Sequence, residues 1–132
     1  MKIAIMQPSF FPWLGYFHLV HSVDRFVFLD DVPMAQQRRN WQKENRILCN
    51  GQVRWMRVNV DRINGPDTLL TNVRVDQPTW RKRTLSLLNE AYGTAPGYAI
   101  FIDQIKAVLE ADHASLADLN ICSIKLITQA FG

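Results

Sequence analysis

Asp30 and Asp31 stand side by side, directly after the apolar run RFVFL at residues 25–29. Adjacent carboxylates can hold Mg²⁺, accept a hydrogen bond from a ribose or amine, or remove a proton as a general base. The same pair can also be a turn that an arginine neutralises. Upstream, residues 6–18 read MQPSFFPWLGYFH. A strand, a loop, Gly15 and a helix in that order can bring an anion to the free amides at the start of the helix, and glycine lets the backbone approach closely. Gln7, Gly15 and Tyr16 are the binding candidates there. Without a ligand the segment is a tight turn packed by Phe10, Phe11, Pro12 and Trp13. Downstream, Gln36-Gln37-Arg38-Arg39-Asn40-Trp41 and Asn45-Arg46 mix donors with an aromatic ring. Arg38, Arg39, Trp41, Asn45 and Arg46 are therefore candidates for holding phosphate, sugar or base, against the alternative of a solvated loop.

Other patterns carry less. His18 and His21 share a helix face, but no acid on that helix completes a metal site. No metal ligand set is assigned, and Mg²⁺ at the Asp pair is the one cofactor left open. On a strand, Arg54 and Met56 share one face while Trp55 and Arg57 share the other, an alternation also met in single-strand nucleic-acid binders. Trp80-Arg81-Lys82-Arg83 opens a helix, where the dipole disfavours cations unless an anion is bound. G-x-G-x-x-G, G-x-x-x-x-G-K-[ST], G-x-S-x-G and H-E-x-x-H are all absent, which argues against a dinucleotide fingerprint, a P-loop, a serine hydrolase and a zinc protease.

The charge is unevenly spread. Residues 25–83 hold twelve Lys/Arg against six Asp/Glu, while the rest hold three against six. Ten of the twelve are arginine, which suits bidentate contact with phosphate or carboxylate. The middle of the chain is thus expected to meet an anion, a small molecule before nucleic acid, which is the weaker reading. The 132 residues are 48% hydrophobic, enough for one domain with a real core. The apolar runs are too short to cross a bilayer and no signal peptide is legible, so the reading is a cytoplasmic protein whose Cys49 and Cys122 are free thiols.

These candidates need elements to position them. Residues 2–6 and 25–29 read as strands and 14–23 as a helix whose apolar positions include Leu14, Phe17, Val20 and His21, which makes a βαβ unit with adjacent parallel strands. Residues 32–42 read as a loop. Residues 45–49 and 52–60 flank Asn50-Gly51, a strong hairpin signal. A loop at 62–68 and a strand within 69–75 follow. Pro78, in Asp76-Gln77-Pro78, suits a first helical position, and helices are expected over 80–92, 96–111 and 116–130. The last carries a Ser115-x-x-Asp118 cap. The fold class is α/β: a βαβ unit with a β-hairpin insertion, then a helical C-terminal half, in a truncated Rossmann-like domain, or α+β if the hairpin dominates.

Met6-Gln7-Pro8, Phe10-Phe11-Pro12, Gly15-Tyr16-Phe17, Asp24 and Asp30-Asp31-Val32 make the opening closely resemble the WbqC-like family, bacterial proteins found with surface-polysaccharide biosynthesis genes. Trp41, Asn45-Arg46-Ile47, Trp80-Arg81, Tyr92, Pro96 and Leu119-Asn120-Ile121 look like its later landmarks. Members are longer, so residues 1–132 read as a single domain that is the N-terminal part, or a shortened form, of a WbqC-like domain. The layout is also similar to nucleotidyltransferases with an H-x-G-H loop. Here the loop reads Trp13-Leu14-Gly15-Tyr16, so charge neutralisation would fall to Arg38, Arg39 or Arg46. The resemblance implies a transferase acting on a nucleotide-activated sugar or related molecule, with Asp30 or Asp31 as base, metal ligand or hydroxyl acceptor. The alternative is a non-catalytic module that self-associates as a homo-oligomer.

Overall fold

The computed structural model describes residues 1–76 and 78–132; Gln77, in the middle of the expected Asp76-Gln77-Pro78 helix start, lies outside the described residues. The first thirty residues form the expected βαβ unit. β1 (Ile3–Met6) pairs in parallel with β2 (Arg25–Phe28), and α1 (Leu14–His21) connects them. Side chains alternate across a strand, so Ala4, Met6, Phe26 and Phe28 share one face. Phe26 and Phe28 meet edge to face at 5.2 Å, and the Tyr16 ring lies 5.5 Å from Phe26. On the other face Ile3, Ile5 and Val27 are exposed, although parallel sheets are normally covered on both sides. α1 stops two residues short of the expected 14–23. Ser22 caps it, its amide bonding Leu19 O and its hydroxyl donating to His18 O at 2.6 Å. Its buried residues are Tyr16 and Phe17, with Val20 half-buried, whereas Leu14 and His21 face solvent. A helix of two turns cannot bury both stripes, and the aromatic pair takes the inward one.

The hairpin forms where Asn-Gly predicts it. β3 (Glu44–Cys49) pairs antiparallel with β4 (Gln52–Arg57). Asn50 and Gly51 take φ 50° and 77°. Both values are positive, as a primed turn requires. The expected single strand over 52–60 is broken at Val58-Asn59. Val58 turns into the core and its amide bonds Lys43 O at 2.8 Å. The chain resumes as β5 (Val60–Arg62), which pairs antiparallel with β6 (Val73–Val75), so part of the expected 62–68 loop is strand. The rest of 69–75 is turn rather than strand, with Leu70 buried and its amide bonding Val32 O. Among the described residues the result is three two-stranded sheets, a mixed α/β fold in which the βαβ unit is the sole Rossmann-like feature.

The C-terminal half is helical: α2 (Thr79–Tyr92), α3 (Tyr98–Glu110) and α4 (Leu116–Phe131). Pro78 sits at the N-cap of α2, one residue before the expected place. Ser115 Oγ accepts the Asp118 amide at 3.1 Å, as the capping spacing predicts.

Two hydrophobic cores result. The larger gathers Phe10, Met34, Met56, Leu70, Trp80, Leu109, Leu116 and Leu119 among others. The smaller holds Tyr16, Phe17 and Ile124, with Val20, Phe26, Phe28 and Ile127 against it. α4 serves both: its first turns fill the larger core and its later turns the smaller.

Candidate functional site

A cleft of about 860 Å³ opens along the seam between the two cores. Tyr16, Phe17 and Ile127 come to it from the smaller core, Phe11, Ile47, Met56 and Leu88 from the larger, and exposed Phe131 closes it at the end of α4. Such a seam is where a mostly apolar pocket with a few polar groups is expected. Over Met6, Ser9 and Trp41 the cleft continues into a shallower depression lined by Gln7, Leu29, Asn40 and Gln42, at the carboxyl ends of β1 and β2. That edge is where parallel sheets present ligands.

Buried amides set the shape of the cleft. Gln42 donates from Nε2 to Gln7 Oε1 at 2.6 Å and accepts the Ala35 amide on Oε1 at 2.8 Å. Asn120, fully buried on α4, donates from Nδ2 to Gln42 O at 2.7 Å and to Pro8 O at 3.2 Å. Asn45 Nδ2 donates to Phe11 O at 2.6 Å. Phe11 has φ 43°. That conformation is unusual for a bulky residue, and the Asn45 bond fixes it there. The Tyr16 hydroxyl donates to Gln7 O at 3.0 Å. Burial pushes its pKa well above the ordinary value. The loop that holds the cleft open is therefore tied to β3, α1 and α4 by side-chain amides and one phenol.

The expected site residues divide. Tyr16, Trp41, Asn45 and Arg46 line the cleft. Gln7 lines the adjoining depression. Gln7, Tyr16 and Asn45 spend polar atoms on internal bonds, so they shape the loop. Gly15 borders an apolar hollow on the outer side of α1. A Cβ there would fall 1.8 Å from the Trp13 ring, so the space glycine leaves is filled by indole. Arg38, Arg39 and Arg46 are not gathered at one place. Arg46 borders the cleft, while Arg39 lies over the Trp55 ring at 3.9 Å and lines a different groove on the β4 side. Arg38 is exposed in the loop between. Asp30 and Asp31 follow Leu29, whose amide bonds Met6 O at 2.8 Å. They stand at the edge where the depression opens, outside its lining and that of the cleft.

Sequence reading missed Phe131 and Tyr92 as walls of the cleft, because a helix end and a helix–helix break carry no site signal. It also missed Gln42 and Asn120, since an isolated amide looks the same on the surface and in a core. No group of three or more His, Cys, Asp or Glu able to hold a metal occurs among the described residues, and His18 and His21 are exposed. Both cysteines are free. Burial, with Glu90 beside it, raises the pKa of the Cys49 thiol. No helix among the described residues is long and apolar enough to cross a membrane.

With this geometry in place, comparison with known proteins is informative. A model of the WbqC-like protein family matches residues 7–132. Uncharacterized protein Rv1507c of Mycobacterium tuberculosis is 32% identical over 120 residues, which cover 90% of this chain and 51% of that protein. The chain thus spans about half the length of this curated relative. No solved structure matches.

Proposed function

The chain belongs to the WbqC-like protein family, and on that footing we propose a transferase-type enzyme of bacterial surface-polysaccharide biosynthesis, working in the cytoplasm on a nucleotide-activated sugar or related anionic molecule. The observation that carries the proposal is Arg46. Its exposed guanidinium borders a mostly apolar cleft, and no carboxylate pairs with it among the described residues. A cation so placed meets the charged group of a ligand while the aromatic walls take its rings. Trp41, on the shared lip of cleft and depression, stacks a base or sugar. Asp30 or Asp31, at the carboxyl end of β2, serves as base or hydroxyl acceptor for the transferred group; with Mg²⁺ present, the same oxygens would bind it.

The test is calorimetric titration with a nucleoside diphosphate sugar, with and without Mg²⁺. Arg46→Ala should weaken binding about tenfold or more, the usual weight of a charged hydrogen bond. Asp31→Asn should bind normally and lose transfer. Unchanged affinity in the first variant together with unchanged turnover in the second overturns the assignment.

A second reading has its own support: a non-catalytic module that self-associates. The bare face of Ile3, Ile5 and Val27 on a two-stranded parallel sheet favours it, because such a face gains by being covered. Sedimentation analysis decides it. A wild-type dimer that dissociates in Ile5→Lys supports the module, and a monodisperse monomer at high concentration rejects self-association.

A further inference from the structure

The cleft occupies only one side of the hairpin. On the other, a groove of about 710 Å³ runs between β4 and α2. Arg39, Arg54, Arg57, Lys82 and Arg83 line it, and Glu90 is its single carboxylate. Arg57 is already paired, its Nε donating to Glu44 Oε2 at 2.7 Å. Arg54 approaches Glu90 only at 4.0 Å. No ion pair neutralises Arg39, Lys82 or Arg83 among the described residues. The first turn of α2 carries no acid and is followed at once by Lys82 and Arg83, so helix dipole and side chains add positive potential at the same end. The surplus of about three charges exceeds the roughly −1.5 to −2 of one phosphate group. At the rim Trp55 stacks on Trp41, with ring centres 6.3 Å apart and planes 23° apart, and Arg39 covers Trp55.

We propose that the groove between β4 and α2 is a phosphate-binding site for a di- or triphosphate chain, with the Trp41–Trp55 pair as a stacking shelf beside it. The groove lies apart from the cleft except at Met56, which lines both, and at Trp41, which borders the cleft and stacks on Trp55. Arg39, Lys82 and Arg83 supply the charge, and Ser86 and Asn59 line the groove as neutral polar groups. The chain can come from a nucleotide or from inorganic polyphosphate. Only the nucleotide can use the indoles, a base stack adding about tenfold in affinity.

Inorganic tripolyphosphate, titrated calorimetrically into the whole chain, tests the site. Wild type should bind, with log K falling steeply against log salt. Lys82→Ala/Arg83→Ala, at two exposed positions, should lose about tenfold in affinity, and Glu90→Gln should gain. Arg46→Ala, in the cleft, should match wild type. A nucleoside triphosphate that binds Arg46→Ala more tightly than tripolyphosphate does, with the difference lost in Trp55→Ala, makes the source a nucleotide; equal affinities make it inorganic. The proposal is overturned if tripolyphosphate does not bind, if the double variant equals wild type, or if Arg46→Ala costs as much. A single-stranded oligonucleotide that outcompetes both small ligands overturns it too, in favour of nucleic acid.

Discussion

The two sides of the β3–β4 hairpin are built on opposite principles. Along β3, polar side chains bond within the protein: Asn45 holds Phe11, and Gln42 and Asn120 join three segments. The resulting cleft is walled by rings and aliphatic groups, with Arg46 as its one unpaired cation among the described residues. Along β4 and α2 the polar side chains are left over. Among the described residues three of its five cations have no ion-pair partner, and the apolar contribution is Trp55, Met56 and Leu87. A closed polar network gives shape, while an open one gives potential. The β3 side is suited to selecting a ligand by form, the β4 side to attracting one by charge.

The contrast makes distinct demands on mutants. The largest effect is expected from Asn120→Ala. It strips the donor from two buried carbonyls, each loss worth about 1–3 kcal/mol, so unfolding free energy should fall by about 3 kcal/mol in denaturant titration. Because the loop over the cleft loses its anchor on α4, ligand affinity in the cleft should fall as well, and tripolyphosphate affinity should not. Equal losses on both sides would break the comparison. Arg57→Ala should come next, because it leaves Glu44 buried and unpaired. Arg57 itself is half-exposed, so the loss should be about 2 kcal/mol rather than the full cost of a broken buried pair. Glu44→Leu/Arg57→Leu should recover most of that loss, which a thermal melt would register.

The smallest effect belongs to Tyr16→Phe, which removes the bond to Gln7 O. Its expected cost is about 1 kcal/mol. It carries a pH signature. The folded-state pKa of Tyr16 is raised, so its contribution is complete below the ordinary value near 10 and is lost as pH rises above it. Wild-type melting temperature should fall more steeply above about pH 10 than that of the variant. Parallel curves would show that the phenol ionises freely in the folded protein.

Local rules were enough for some elements. The βαβ order, the Asn50-Gly51 turn and the Ser115 cap each follow from a few neighbouring residues, and each is present. Long-range decisions were not legible. Val58 ends β4 because the core needs it, a fact that no run of β-formers from 52 to 60 contains. Arg39 and Arg46 are close in sequence but end up on different sides of the hairpin, because Arg39 lies over Trp55 and Arg46 borders the cleft. The burial of Asn120 depends on carbonyls 78 and 112 residues away.

The tryptophans have a consequence of another kind. Of the four, Trp80 is sealed in the larger core, Trp13 lies open beside the cleft, and Trp41 and Trp55 form a stacked pair at the rim of the groove. Three indole environments in one small chain amount to a built-in optical instrument. Stacked indoles couple their electronic transitions, so the pair should give a split circular-dichroism band that separate rings do not. A quencher added to solvent should dim Trp13 first and Trp80 last. Without any attached dye, Trp13 emission would thus report occupation of the cleft, and the dichroism band any ligand that parts Trp41 from Trp55.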